Sequence, residues 1–251
     1  MPYAVLQTEL GTPTIEQMAR AFRSVPGLTP ADAHILGNDA FGILVKNFTE
    51  TQALAMQGAL RVEGVETELV DQSLLPELPA KHTVHRLDCN PEHLLIYDPA
   101  GRSFALDWRH VTLIAAGAVR LTEFVRERQR REKISYTGYG LAIPDAEYDT
   151  VSREEHNFHP LTEIIVAGGT LRYTLQADKF NFDYLGTRKV KDTAANFALL
   201  VRDLAQFGTG AALNRGAEAI QKGDSIGLAY PSQNAFYEEI IWSLWQLKKL
   251  S

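Results

Sequence analysis

The hydrophobic period of the chain changes near residue 80, and that change limits the possible folds more than any single motif does. Before it, apolar residues fall at strand and helix spacings in the order strand–helix–helix–strand–helix–strand. After it come short alternating runs separated by turn residues, and the last of these gives way to a helical stripe. The proline-rich stretch Leu74-Leu75-Pro76-Glu77-Leu78-Pro79 lies at the join and reads as a hinge. A chain of 251 residues is long enough for about two such modules. The expected fold class is therefore α+β, with a module over roughly 1–75, a second over 80–210 and a tail over 211–251.

In the first module, Tyr3 to Leu10 reads as a strand broken by Gly11. Thr14 and Gln17 form a capping box ahead of the stripe Ile15, Met18, Ala19 and Phe22. Pro26-Gly27 ends that helix. Thr29-Pro30, with Asp32 in the first turn, predicts a second. Phe41 to Val45 is a short buried strand. Thr49 and Gln52 repeat the capping box before Ala53, Met56 and Leu60, and Gly64 stands where a left-handed cap is expected. Val65 to Val70 alternates as a last strand.

The segments Pro26-Gly27-Leu28-Thr29-Pro30-Ala31-Asp32-Ala33, Phe41-Gly42-Ile43-Leu44-Val45 and Gly64-Val65-Glu66-Thr67-Glu68-Leu69 resemble the C-terminal domain of the ribosomal stalk protein and the Clp-adaptor fold related to it. The resemblance implies a small β-α-α-β-α-β module. It implies neither activity, because Leu28 to Asn38 holds no lysine and Leu10-Gly11-Thr12-Pro13 stands where the adaptor carries its Asn-Asp pair.

In the second module the expected strands are His82–Asp88, Leu94–Tyr97, Ser103–Leu106, Val111–Val119, Leu161–Val166, Leu171–Leu175 and Phe180–Tyr184. Turns at Asp98-Pro99-Ala100-Gly101 and Gly168-Gly169 join two of the pairs. A helix capped by Asp192 or Thr193 follows, with Phe197, Leu200, Val201 and Leu204 on one stripe. Leu95-Ile96-Tyr97-Asp98, Phe104-Ala105-Leu106-Asp107-Trp108 and Val111-Thr112-Leu113-Ile114 resemble strands of bacterial pleckstrin-homology-like domains. This implies a β-barrel with a C-terminal capping helix, followed here by an extra terminal helix. The loop Cys89-Asn90-Pro91-Glu92-His93 lacks the basic residues of membrane-binding members, so peripheral lipid binding ranks as an alternative only.

Residues near 126–158 read as a long polar, loop-like insertion, the expected recognition element. Its candidates for partner binding are Arg126, Arg128, Arg130, Arg131, Tyr136 and Tyr139. In the tail, Ser232 caps a helix with Phe236, Ile240, Leu244 and Leu247 on one face and Trp242 and Trp245 beside them. That helix packs against the modules, or it serves as a partner or dimer face through Trp242 and Trp245.

A net charge of −6 argues against general nucleic-acid binding. One cysteine, Cys89, leaves no internal disulfide. Neither a basic segment leading into an apolar run at the start nor a stretch of about 18 apolar residues occurs, so a cytoplasmic protein is expected. No glycine-rich phosphate loop is present, and no cofactor is predicted. Only Glu155, His156 and His159 hint at a metal-assisted enzyme. The composite expectation is a non-enzymatic binding or adaptor protein that recognises another protein.

Overall fold

The computed structural model describes residues 1–11, 13–29, 40–136 and 142–250, of which 123–136, 142–152 and 154 are described as backbone only. The helix expected from Thr29-Pro30 falls outside the described residues.

The first sheet has the order β2-β1-β3, from β1 (Tyr3–Gln7), β2 (Ile43–Phe48) and β3 (Thr67–Asp71), with both pairs antiparallel. Helices α1 (Ile15–Arg23) and α2 (Glu50–Val62) cover one face. Both start with the expected capping boxes: Thr14 and Thr49 accept from the amides of Gln17 and Gln52, whose side chains reach back to the cap amides. Val5, Met18, Phe22, Val45, Met56 and Leu60 form the core between sheet and helices. Ala4, Leu6, Ile43 and Val70 lie on the other face and are buried as well. A strand covered on both sides needs no apolar–polar alternation, which is why Ala4-Val5-Leu6 is continuously apolar.

The second module contains β4 (Lys81–Thr83), β5 (Leu87–Cys89), β6 (Leu94–Tyr97), β7 (Ser103–Leu106), β8 (Val111–Tyr136), β9 (Ala142–Val166) and β10 (Leu171–Gln176), then α3 (Thr193–Phe207). Strands β5-β6-β7 form an antiparallel three-stranded sheet. The larger sheet has the order β11-β8-β9-β10-β4, where β11 (Ala212–Leu213) joins β8 in parallel, as does β12 (Ala229–Tyr230) further along. The α3 stripe Phe197, Leu200, Val201 and Leu204 fills the space between the sheets, against Leu87, Leu94 and Ile96 on one side and Ile114, Ile164 and Leu175 on the other. Among the described residues no sheet closes into a barrel.

Three sequence expectations for this module are corrected. The run His82–Asp88 is not one strand: β4 pairs with β10 and β5 with β6, so the chain crosses between sheets at Val84-His85-Arg86. Phe180–Tyr184 is not a strand. Phe180 and Phe182 are both buried and touch edge to face at 4.9 Å, and a 3₁₀ turn starts at Asp183. Its alternation records burial without a ladder, apart from one bridge between Arg86 and Asn181. Over its described residues, the insertion near 126–158 is not a loop but part of β8 and β9.

The tail holds α4 (Arg215–Lys222), which sequence reasoning missed, and α5 (Gln233–Leu250). Helix α5 lies between the modules. Phe236, Ile240 and Leu244 pack on Leu113, Ala115, Val119, Leu161 and Ile165 of the large sheet. Ile241, Trp242 and Trp245 pack on Ala4, Leu6, Ile43 and Val70 of the first sheet. The Trp242 indole N–H donates to Gln7 O at 2.7 Å and that of Trp245 to Glu68 Oε1 at 3.0 Å. The helix thus packs against both modules, with Trp242 and Trp245 half-buried against the first sheet.

Gly42 makes the approach possible. Its φ is +80°, and a Cβ there would lie 2.5 Å from the Trp242 ring. Gly42→Ala adds a strained backbone to a steric overlap, so it should destabilise the protein by roughly 2 kcal/mol or more. Urea denaturation followed by tryptophan fluorescence checks this. An unchanged midpoint would mean that the contact between α5 and the first sheet is dispensable.

Candidate functional site

Strands β8 and β9 form an antiparallel ribbon whose register runs without interruption from Leu113↔Ile165 to Tyr136↔Ala142. At its root the ribbon belongs to the large sheet: β10 pairs with β9 up to Leu161, and β12 with β8 at Ala118 and Val119. Beyond that, among the described residues, the two strands pair only with each other. From Arg120 to Tyr136 the ribbon extends about 50 Å at the usual rise of a strand. Each outer edge carries a row of main-chain donors and acceptors without a strand partner among the described residues.

Arg126, Arg128, Arg130, Arg131 and Tyr136 all lie on β8 within this ribbon, and Tyr139 lies outside the described residues. Positions 126, 128 and 130 share one face by alternation, while 131 is on the other. The register sets Arg131 opposite Glu147 and Lys133 opposite Asp145. These two opposite-charge pairs are the signal by which the sequence could have disclosed that β8 and β9 pair.

Glu155, His156 and His159 are not brought together. All three lie on β9, where His156 and His159 are an odd number of residues apart and so occupy opposite faces. The His156 ring meets Thr122 Oγ1 at 3.1 Å, whereas His159 lies 3.4 Å from Asp178 Oδ2 and 3.4 Å from Gln176 Nε2. Among the described residues no group of three His, Cys, Asp or Glu could hold a metal ion.

The face of the large sheet under α5 carries two buried polar networks. In the first, Glu163 is fully buried and accepts from Arg172 Nε at 3.0 Å, Arg172 Nη2 at 3.2 Å and Thr174 Oγ1 at 2.7 Å. Arg172 also donates to Tyr237 OH at 2.7 Å and lies over that ring, 4.4 Å from its centre. Burial pushes the Glu163 carboxyl above its usual range, opposed by Arg172, Thr174 and Lys81. Burial and the Glu163 charge push the Tyr237 phenol up to about 12.

The second network centres on Glu239. It accepts from Tyr230 OH at 2.9 Å, from the Arg215 amide at 2.9 Å and from Arg215 Nη2 at 3.1 Å. Asn214 donates to Tyr230 OH at 2.8 Å. Its amide also faces the Ala116 peptide, accepting from the N–H at 2.8 Å and donating to the C=O at 3.2 Å. A side chain thus completes the ladder of β8 where β11 ends. Burial first, then the Glu239 charge, pushes the Tyr230 phenol up.

Cys89 is poorly suited to nucleophilic chemistry. Burial, with Asp203 and Asp88 nearby, pushes its thiol up, so little thiolate is present at neutral pH. Asp203 itself receives both Arg188 amino groups at 2.8 and 2.7 Å and the Tyr184 hydroxyl at 3.1 Å.

In comparison with known protein families, with curated proteins and with solved structures, the chain matches none. No helix among the described residues is long and apolar enough to cross a membrane.

Because the folded-state pKa of Glu163 is raised, its contribution to stability is largest below the usual glutamate range. It falls as pH rises from that range through the raised value. Glu163→Gln should remove this slope, so the melting temperatures of parent and variant should follow different courses between pH 4 and 8. Parallel courses would show that Glu163 titrates as an ordinary carboxyl.

Proposed function

We propose that the chain is a non-enzymatic binding or adaptor protein that recognises another protein, and that the ribbon of β8 and β9 is its recognition element. The carrying observation is the length of ribbon that, among the described residues, pairs with nothing but itself. Open strand edges offer main-chain hydrogen bonds to an extended partner segment, and the side chains on each face then select among partners. Trp242 and Trp245 are engaged within the chain, which moves the partner surface from the terminal helix to the ribbon.

The order β-α-β-α-β of the described first module supports a stalk- or Clp-adaptor-like fold. Seven strands and then a helix, in two packed sheets, support a pleckstrin-homology-like second domain. Both folds serve as scaffolds in which loops and edges carry the specificity. A cytoplasmic location remains part of this proposal.

Trimming the ribbon tests it. Thr122 and His156 are register partners, so residues 123–155 can be replaced by Asn-Gly, a two-residue hairpin turn. The trimmed protein should keep the helical part of its circular dichroism signal and its melting temperature. It should lose a partner that the full chain captures from native lysate and binds again when both are purified. Equal binding by the trimmed protein would overturn the role of the ribbon. Turnover of a substrate at a rate abolished by one point change would overturn the non-enzymatic reading.

A further inference from the structure

A cavity of about 560 Å3 opens between the root of the ribbon and the first turn of α5. Three cations line it: Lys81 on β4, Arg120 on β8 and Lys179 just after β10. Among the described lining residues there is no Asp or Glu. The charge of Lys81 is felt at Glu163, but that carboxylate is already held by Arg172 and Thr174. Lys179 donates to Gln176 Oε1 at 3.2 Å, which leaves its charge uncompensated. Among the described residues, like charges are thus gathered here without the ion-pair partners that Arg188, Arg215 and Lys46 have elsewhere.

The remaining walls are suited to a particular kind of anion. Thr83 and Thr122 bring hydroxyls, and the amino end of α5 adds the positive end of its dipole. Donors from several sides and three cations exceed what one carboxylate uses, and match the several oxygens and double charge of a phosphate ester. Leu121 and Leu161 form an apolar wall. The volume lies within the range of small-molecule sites, about 300–1,000 Å3, and is larger than a bare phosphate needs. We propose that this cavity binds a small organic phosphate, its phosphoryl group held by Lys81, Arg120 and Lys179 and its organic part set against Leu121 and Leu161.

Isothermal titration of the full chain with phenyl phosphate, inorganic phosphate and benzoate, at pH 7.5 and matched ionic strength, tests this. Phenyl phosphate should bind most tightly, inorganic phosphate more weakly and benzoate least. Lys179→Ala and Arg120→Ala should each weaken phenyl phosphate binding about tenfold, the effect of losing one charged hydrogen bond. Both residues are exposed, so melting temperatures should stay at the parent value. Lys189→Ala, at an exposed lysine paired with Asp183, should leave binding unchanged. No saturable heat with either phosphate, equal affinity for benzoate and phenyl phosphate, or full affinity in both cavity variants would each overturn the proposal.

Discussion

The carboxylate of Glu239 is fully buried and accepts from Arg215 and Tyr230, on two different elements. It sits on α5, and its donors belong to the start of α4 and to β12. An ionised group in such a place is stable only while every partner is in position, and stripping one partner from a buried pair costs about 3–5 kcal/mol. Glu239 therefore fixes the rotation of α5 about its own axis. That rotation decides which residues of the helix meet the large sheet and which meet the first one. The seating of Phe236, Ile240 and Leu244 on one side and of Trp242 and Trp245 on the other follows from it.

Close backbone approaches reinforce the same arrangement. Gly216 on α4 lies directly against the Ala116 carbonyl, where a Cβ would overlap it. Gly117 on β8 leaves room for the Tyr230 ring that bonds Glu239. Small residues at these two points let a helix and an aromatic side chain settle onto the strand that continues into the ribbon. The base of the ribbon is therefore held by packing on its α4 and α5 sides, while its outer part relies on its own ladder.

Much of the first module was legible because local signals and tertiary structure agree there. Thr14 with Gln17 and Thr49 with Gln52 cap as the sequence implies, and Gly64 takes its positive φ. The α3 stripe was equally plain, since one face of that helix meets the core. The failures share a cause: apolar period reports burial and not hydrogen bonding. Phe180 and Phe182 are buried without a strand, whereas the outer ribbon forms strands without an apolar alternation to announce them. The cavity at the ribbon root was illegible for another reason. Lys81, Arg120, Lys179 and the start of α5 are far apart in sequence and meet only through sheet order.

The position of α5 in the chain bears on how the protein is made. The first sheet and the large sheet each leave one apolar face for this helix to cover, yet it is translated after both of them. While the nascent chain is still growing, Leu6, Ile43 and Val70 on one sheet and Leu113, Val119 and Ile165 on the other have no cover of their own. The newly made modules would thus be sticky towards each other and towards chaperones until α5 has emerged. A chain cut off just before residue 233 would carry both sheets with these two faces bare, a form that quality control can distinguish from one that carries α5.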